Sequence, residues 1–163
     1  MKVKIMSEDE CVLYTKQENI LPCVIISINT HGGEGYKKNA LILTNNNNVK
    51  DVLTLFFDDI TERNVALGSK CKLMSEEDVS SILTFVEEWR GKIDEFIVHC
   101  GAGISRSPAV ASGISIMLGL DDTWIWESHK SPNKYVFEKI RNAIGLSMNE
   151  VRRRYSMNED YHK

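Results

Sequence analysis

The chain has 163 residues, 42% of them hydrophobic and 26% charged, which suffices for one compact domain over residues 1–163 and leaves no length for a second. A formal net charge of −3 gives no general attraction for nucleic acid or an anionic membrane, so an anionic partner must be held by a local site. No stretch reaches the roughly eighteen apolar residues of a membrane span, and Met1 to Met6 runs into Glu8, Asp9 and Glu10 before a signal-peptide core can form, so a cytosolic protein is expected.

In chain order, Val24-Ile25-Ile26-Ser27-Ile28 reads as a buried strand, and His31-Gly32-Gly33-Glu34-Gly35 as a loop. Leu41-Ile42-Leu43 is a candidate strand, ended by the run Asn45 to Asn48. Val52 to Phe57 is a further strand. Ser75-Glu76-Glu77-Asp78 has the form of a capping box, and Val79, Ile82, Leu83, Val86 and Trp89 follow at helical spacing until Gly91. Phe96-Ile97-Val98 is a short apolar strand. An uncharged and therefore buried helix is predicted from Ser107-Pro108 through Leu118.

Asp121 or Asp122 can cap a short helix through Trp124 and Trp126, whose rings point to different faces, at least one of them core. Asn133 can cap a helix ending near Gly145, and Ser147-Met148-Asn149-Glu150 is a capping box for a short last helix. Strands alternating with helices, followed by a helical C-terminal half, predict an α/β domain with a largely parallel central sheet flanked by helices. Such sheets hold ligands at the carboxyl ends of their strands.

Phe96 to Pro108 is the decisive segment, a strand passing through the small-residue loop Gly101-Ala102-Gly103-Ile104-Ser105 into a helix. The glycines permit a tight curve that turns backbone N–H groups inward, and the helix start adds unsatisfied amides and the positive end of its dipole. That is a cradle for a phosphate. Arg106, six residues after Cys100, can return across the loop and grip two phosphate oxygens with its planar fork. The same positive field favours the thiolate of Cys100 and so activates it as a nucleophile without an attacking base.

His99-Cys100, five residues, then Arg106-Ser107 resembles the signature of the protein tyrosine phosphatase superfamily, and its small dual-specificity-like group in particular. The resemblance covers residues 20–140, including Ser131-Pro132-Asn133, which looks like the Pro-Asn opening a late helix in that group. It implies hydrolysis of phosphotyrosine, and more slowly of phosphoserine or phosphothreonine, in phosphorylated proteins through a phosphocysteine intermediate and without a metal or other cofactor. It also implies that His99 supports Cys100 by hydrogen bonding and that the Ser107 hydroxyl helps the thiolate leave. A packed core histidine and a helix cap are the alternative readings of these two residues.

The family's general acid is an aspartate on a separate loop, and Phe57-Asp58-Asp59-Ile60 resembles that loop. The resemblance assigns the proton to Asp59, with Asp58 the alternative. Asp59 stands farther from Cys100 than the family spacing implies, and the excess is placed in Thr61 to Leu73, an extra loop positioned to cover the site.

The loop carries no Lys or Arg between Cys100 and Arg106, which disfavours inositol phosphates and lipids as substrates. The rival readings are a rhodanese-type sulfurtransferase, which leaves the Asp58-Asp59 pair unexplained; an arsenate reductase, which needs further redox cysteines; and a phosphate-binding module without turnover. Elsewhere, Cys11, Cys23 and Cys71 are expected as buried, reduced thiols, His31 and His129 as loop or surface residues without metal-ligand spacing, and Arg152-Arg153-Arg154 as a solvated helix face.

Overall fold

Hydrophobic patterning decides the centre of the molecule. The strands β2 (Cys23–Asn29) and β4 (Glu95–Cys100) are buried at every position, as strands must be when both faces of a sheet are covered. The structure, a computed structural model, describes residues 1–32, 43, 45–61, 63–64 and 70–163. Within them β1 (Lys2–Ser7), β2, β3 (Val49–Phe56) and β4 form a sheet in the order β1-β4-β2-β3, with every pairing parallel. The described helices are α1 (Glu8–Thr15), α2 (Glu76–Trp89), α3 (Arg106–Met117), α4 (Thr123–Trp126), α5 (Lys134–Ile144) and α6 (Met148–Tyr161). The expected α/β class with a parallel central sheet and a helical C-terminal half is the class observed.

Side-chain alternation along the strands divides the core in two. Val24, Ile26 and Ile28 of β2 and Phe96, Val98 and Cys100 of β4 belong to the larger cluster, filled by α2, α3, α4 and α5. Cys23, Ile25 and Ile97 point the other way and pack with Cys11 of α1, Ile20 and Leu43. From Ser107 to Ser115 α3 is buried at every position, which explains the lack of charge beyond Arg106. At its far side Trp126 is buried and meets the Phe137 ring edge-on at 4.9 Å, whereas Trp124 is exposed.

Several expectations need correction. β1 and α1 escaped the sequence reading because Lys2 and Lys4 interrupt the apolar run of what proves to be a partly exposed edge strand. Their junction nevertheless carries a signal: Ser7 and Glu10 form a reciprocal capping box, with Ser7 Oγ accepting from Glu10 N at 3.1 Å. Of the strand expected at Leu41-Ile42-Leu43, the first two residues lie outside the described residues, and Leu43 is helical and buried. His31 and Gly32 form the expected turn, while Gly33-Glu34-Gly35 lie outside the described residues.

The box at Ser75 and the cap at Asn133 form as expected. At α4 the carboxylate that takes an amide is that of Asp121, from Thr123 N at 3.1 Å; Asp122 turns inward. The last helix is not short, running fourteen residues, and its box is half made. Ser147 caps it, but the Glu150 carboxylate turns to Arg153 and Arg154. Arg154 is not on a solvated face, since it pairs with Asp122 at 2.7 Å in the interior. Cys11 and Cys23 are buried as expected; Cys71 is exposed, because it lies in a loop outside both core clusters. No helix among the described residues is long and apolar enough to cross a membrane.

Candidate active site

β4 ends at Cys100 and α3 begins at Arg106, so the loop Gly101–Ser105 lies at the carboxyl edge of a central strand, where parallel sheets offer a crevice. The outer face of this loop is braced at four carbonyls. Gly101 O accepts from Glu8 N at 3.1 Å, Gly103 O from Lys130 Nζ at 2.9 Å, Ile104 O from Ser131 N at 2.9 Å and Ser105 O from Asn133 N at 3.0 Å. In a trans peptide the next residue's N–H points opposite to the carbonyl. The outward carbonyls therefore turn the amides of Ala102, Ile104, Ser105 and Arg106 toward the concave side, as an anion cradle requires.

Gly103 makes this curve possible. Its φ is +71°, and a Cβ there would lie 2.7 Å from both the Met6 carbonyl carbon and Ser7 N. The β1–α1 junction is thus the floor on which the loop rests, through Gly103 and through the bond from Glu8. Sequence reasoning missed this role, as it missed the two elements that meet there.

Cys100 is buried, with Sγ 3.1 Å from Ser107 Oγ in the first turn of α3. Ser107 does not cap the helix. The N-cap is Ser105, and its side chain makes no capping bond, which leaves the helix amides open toward the cradle. Arg106 is buried and donates from Nη1 to Phe57 O at 3.0 Å, fixing the guanidinium over the loop beside Gly101, while its Nε has no partner among the described residues. A buried guanidinium nitrogen without an acceptor suits a site completed by an oxyanion.

Asp58 and Asp59 differ sharply. Asp58 is buried, and each carboxylate oxygen accepts a backbone amide, Oδ1 from His31 N at 2.9 Å and Oδ2 from Lys72 N at 2.7 Å. It braces the loop and ties the far end of the inserted segment, of which residues 62 and 65–69 lie outside the described residues, back to the strand end. Asp59 is exposed and reaches the cradle, its Oδ1 accepting from Ser105 Oγ at 2.7 Å and from Asn133 Nδ2 at 2.9 Å. The sequence supplied Asn133 only as a helix cap; its second contact, with Asp59, depends on a fold that brings residues 74 positions apart together.

Like Asp58, whose two oxygens are taken by the His31 and Lys72 amides, His99 is a predicted site residue without a side-chain hydrogen bond to the cradle. It pairs across the sheet with Ser27 and Met6, and neither ring nitrogen has a hydrogen-bond partner among the described residues. No side-chain bond from His99 to the Cys100 thiol accompanies the predicted support. Burial pushes its pKa down, a shift reinforced by the Arg106 charge and opposed by the Cys100 backbone and Glu8. The described residues contain no group of His, Cys, Asp and Glu arranged to hold a metal ion.

Fold and site together define an α/β domain with a buried thiol and a curved loop at the end of a central strand. No family model and no curated protein matches the chain. Among solved structures it is similar to Tk-PTP in its active form, at 15% identity over 96% of this chain and 90% of that one, with a TM-score of 0.45. It is similar also to PTPMT1, at 14% identity over 93% and 95% of the two chains with a TM-score of 0.49. A third likeness is to the core catalytic domain of the PP-IP phosphatase SIW14 from S. cerevisiae in complex with citrate, at 12% identity over 97% and 86%, with a TM-score of 0.45. The likenesses are distant, and the chemistry has to be read from the site's own geometry.

Proposed function

We propose that the protein is a phosphomonoester hydrolase that works through a phosphocysteine intermediate. The Cys100 thiolate attacks phosphorus while the loop amides and Arg106 hold the phosphoryl oxygens. The P–O ester bond breaks, and the departing oxygen takes a proton from Asp59. Water then attacks the thiophosphate, giving a proton to the Asp59 carboxylate; the S–P bond breaks, and the Ser107 hydroxyl stabilises the sulfur as it leaves as thiolate. His99 shapes the strand end behind Cys100.

The observation that carries this reading is the docking of Asp59 on the cradle through Ser105 at 2.7 Å. A phosphate-binding module or a sulfurtransferase has no use for a carboxyl group there, whereas ester cleavage needs one. Phosphorylated proteins are the proposed substrates, phosphotyrosine first and phosphoserine or phosphothreonine more slowly. The support is the uncharged loop from Gly101 to Ser105, which offers one phosphate-sized cradle and no further cations within it.

Turnover of p-nitrophenyl phosphate and of a phosphotyrosine peptide tests the proposal. Cys100→Ser is expected to abolish hydrolysis while vanadate binding remains measurable, because the amides and Arg106 are intact. Hydrolysis undiminished in this variant refutes the mechanism, and faster turnover of inositol phosphates than of the peptide refutes the substrate class.

A further inference from the structure

Ser105, Asn133 and Asp59 form a closed ring of hydrogen bonds. Asn133 N donates to Ser105 O at 3.0 Å, Asn133 Nδ2 to Asp59 Oδ1 at 2.9 Å and Ser105 Oγ to the same Oδ1 at 2.7 Å. The orientation of the Asn133 amide is fixed independently, since its Oδ1 accepts from Val136 N at 3.1 Å as the cap of α5. The other end of the amide is therefore the donor, and it faces Asp59. Nδ2 lies also 3.3 Å from Ile60 O, so one side chain ties the start of α5 to the residues on either side of the Asp59–Ile60 peptide bond. Ser105, although it occupies the N-cap of α3, gives its hydroxyl to Asp59 and not to the helix.

We infer that Ser105 and Asn133 are positioning residues that clasp Asp59 Oδ1, leaving Oδ2 to carry the proton and aiming it at the ester oxygen. Both donors converge on one oxygen, and a neutral carboxyl accepts at its carbonyl oxygen and donates from the other. Asp59 is otherwise an exposed side chain on a loop; without the clasp its rotamers would have to be ordered in each turnover, a cost that preorganisation removes. The inference rests on the proposed role of Asp59 as general acid.

Asn133→Ser is the informative variant, because serine remains a good cap for α5 but loses the Nδ2 donor. Ser105→Ala is the second, removing a hydroxyl that makes no capping bond. Each is expected to lower kcat/KM for phenyl phosphate by about tenfold, a fraction of the full contribution of a general acid. For 2,4-dinitrophenyl phosphate, whose leaving group departs without protonation, the loss should stay below about twofold. The basic limb of the pH profile with phenyl phosphate should flatten in both, and neither change should add a loss when made in Asp59→Asn. Equal losses for the two substrates, no loss in either variant, or an undiminished loss in the Asp59→Asn background overturns the clasp. If Asp59→Asn itself shows no dependence on the leaving group, the acid assignment falls and the clasp with it. If Asp59→Asn shows that dependence and the two clasp variants do not, the clasp alone falls.

Discussion

Gly103→Ala separates the two demands made by the floor of the cradle. At φ +71° an alanine has to adopt the left-handed conformation, which costs roughly 1–2 kcal/mol. Its Cβ also meets backbone atoms of Met6 and Ser7 at 2.7 Å. Backbone cannot rotate aside as a side chain does, so either β1 or the loop has to shift, at a cost of about 1–3 kcal/mol by analogy with overpacked cores.

Gly119→Ala is the matched control: its φ is +69°, and nothing lies within 4 Å of the added methyl. The control should lose only the conformational part. For a domain of this size 1 kcal/mol lowers Tm by roughly 2–4 °C, so thermal unfolding followed by circular dichroism should place Gly103→Ala about 2–12 °C below Gly119→Ala. Activity should fall only in Gly103→Ala, because only that change displaces amides of the cradle. Equal Tm values for the two variants would refute the claim that the β1–α1 junction supports the loop.

Two further outcomes follow from buried charge. Arg154 and Asp122 have side chains only 6% and 5% exposed, and Asp122 also accepts from Ser112 Oγ at 2.6 Å and Trp126 Nε1 at 3.1 Å. Arg154→Met strands the carboxylate and is expected to cost about 3–5 kcal/mol in urea unfolding, most of it recovered in the Asp122→Leu/Arg154→Met double variant; a double variant no more stable than the single one contradicts this. His99, held by burial below its ordinary value of 6.5, resists a proton that the unfolded chain accepts. Its contribution is therefore complete above that value and is lost as pH falls toward the lowered pKa of the folded state. His99→Asn should flatten the decline of Tm between about pH 7 and about pH 5.5, and an unchanged slope would show that another group causes it.

Much of the site was legible in the sequence because it is local. Cys100, the glycine-containing loop, Arg106 and Ser107 are consecutive, and an apolar run followed by small residues and a helix start can be recognised from neighbours alone. Asp59 was singled out only through the resemblance of Phe57-Asp58-Asp59-Ile60 to a family loop, which left Asp58 as the alternative. The buried strands β2 and β4 were equally plain, since coverage on both faces leaves their centres as short unbroken apolar runs, Val24 to Ile26 and Phe96 to Val98.

Tertiary structure decided the rest. Whether Asp58 or Asp59 faces the cradle depends on the amides of His31 and Lys72, which occupy both oxygens of one and neither of the other. The run Arg152-Arg153-Arg154 looks uniform along the chain, yet Arg154 is buried against Asp122 across the gap between two helices. The edge strand β1 carries a weak pattern because half of its surroundings are solvent, and it becomes a strand through its parallel pairing with β4. Sequence fixes which groups each short segment can offer; the long-range packing that closes the fold determines which of them meet.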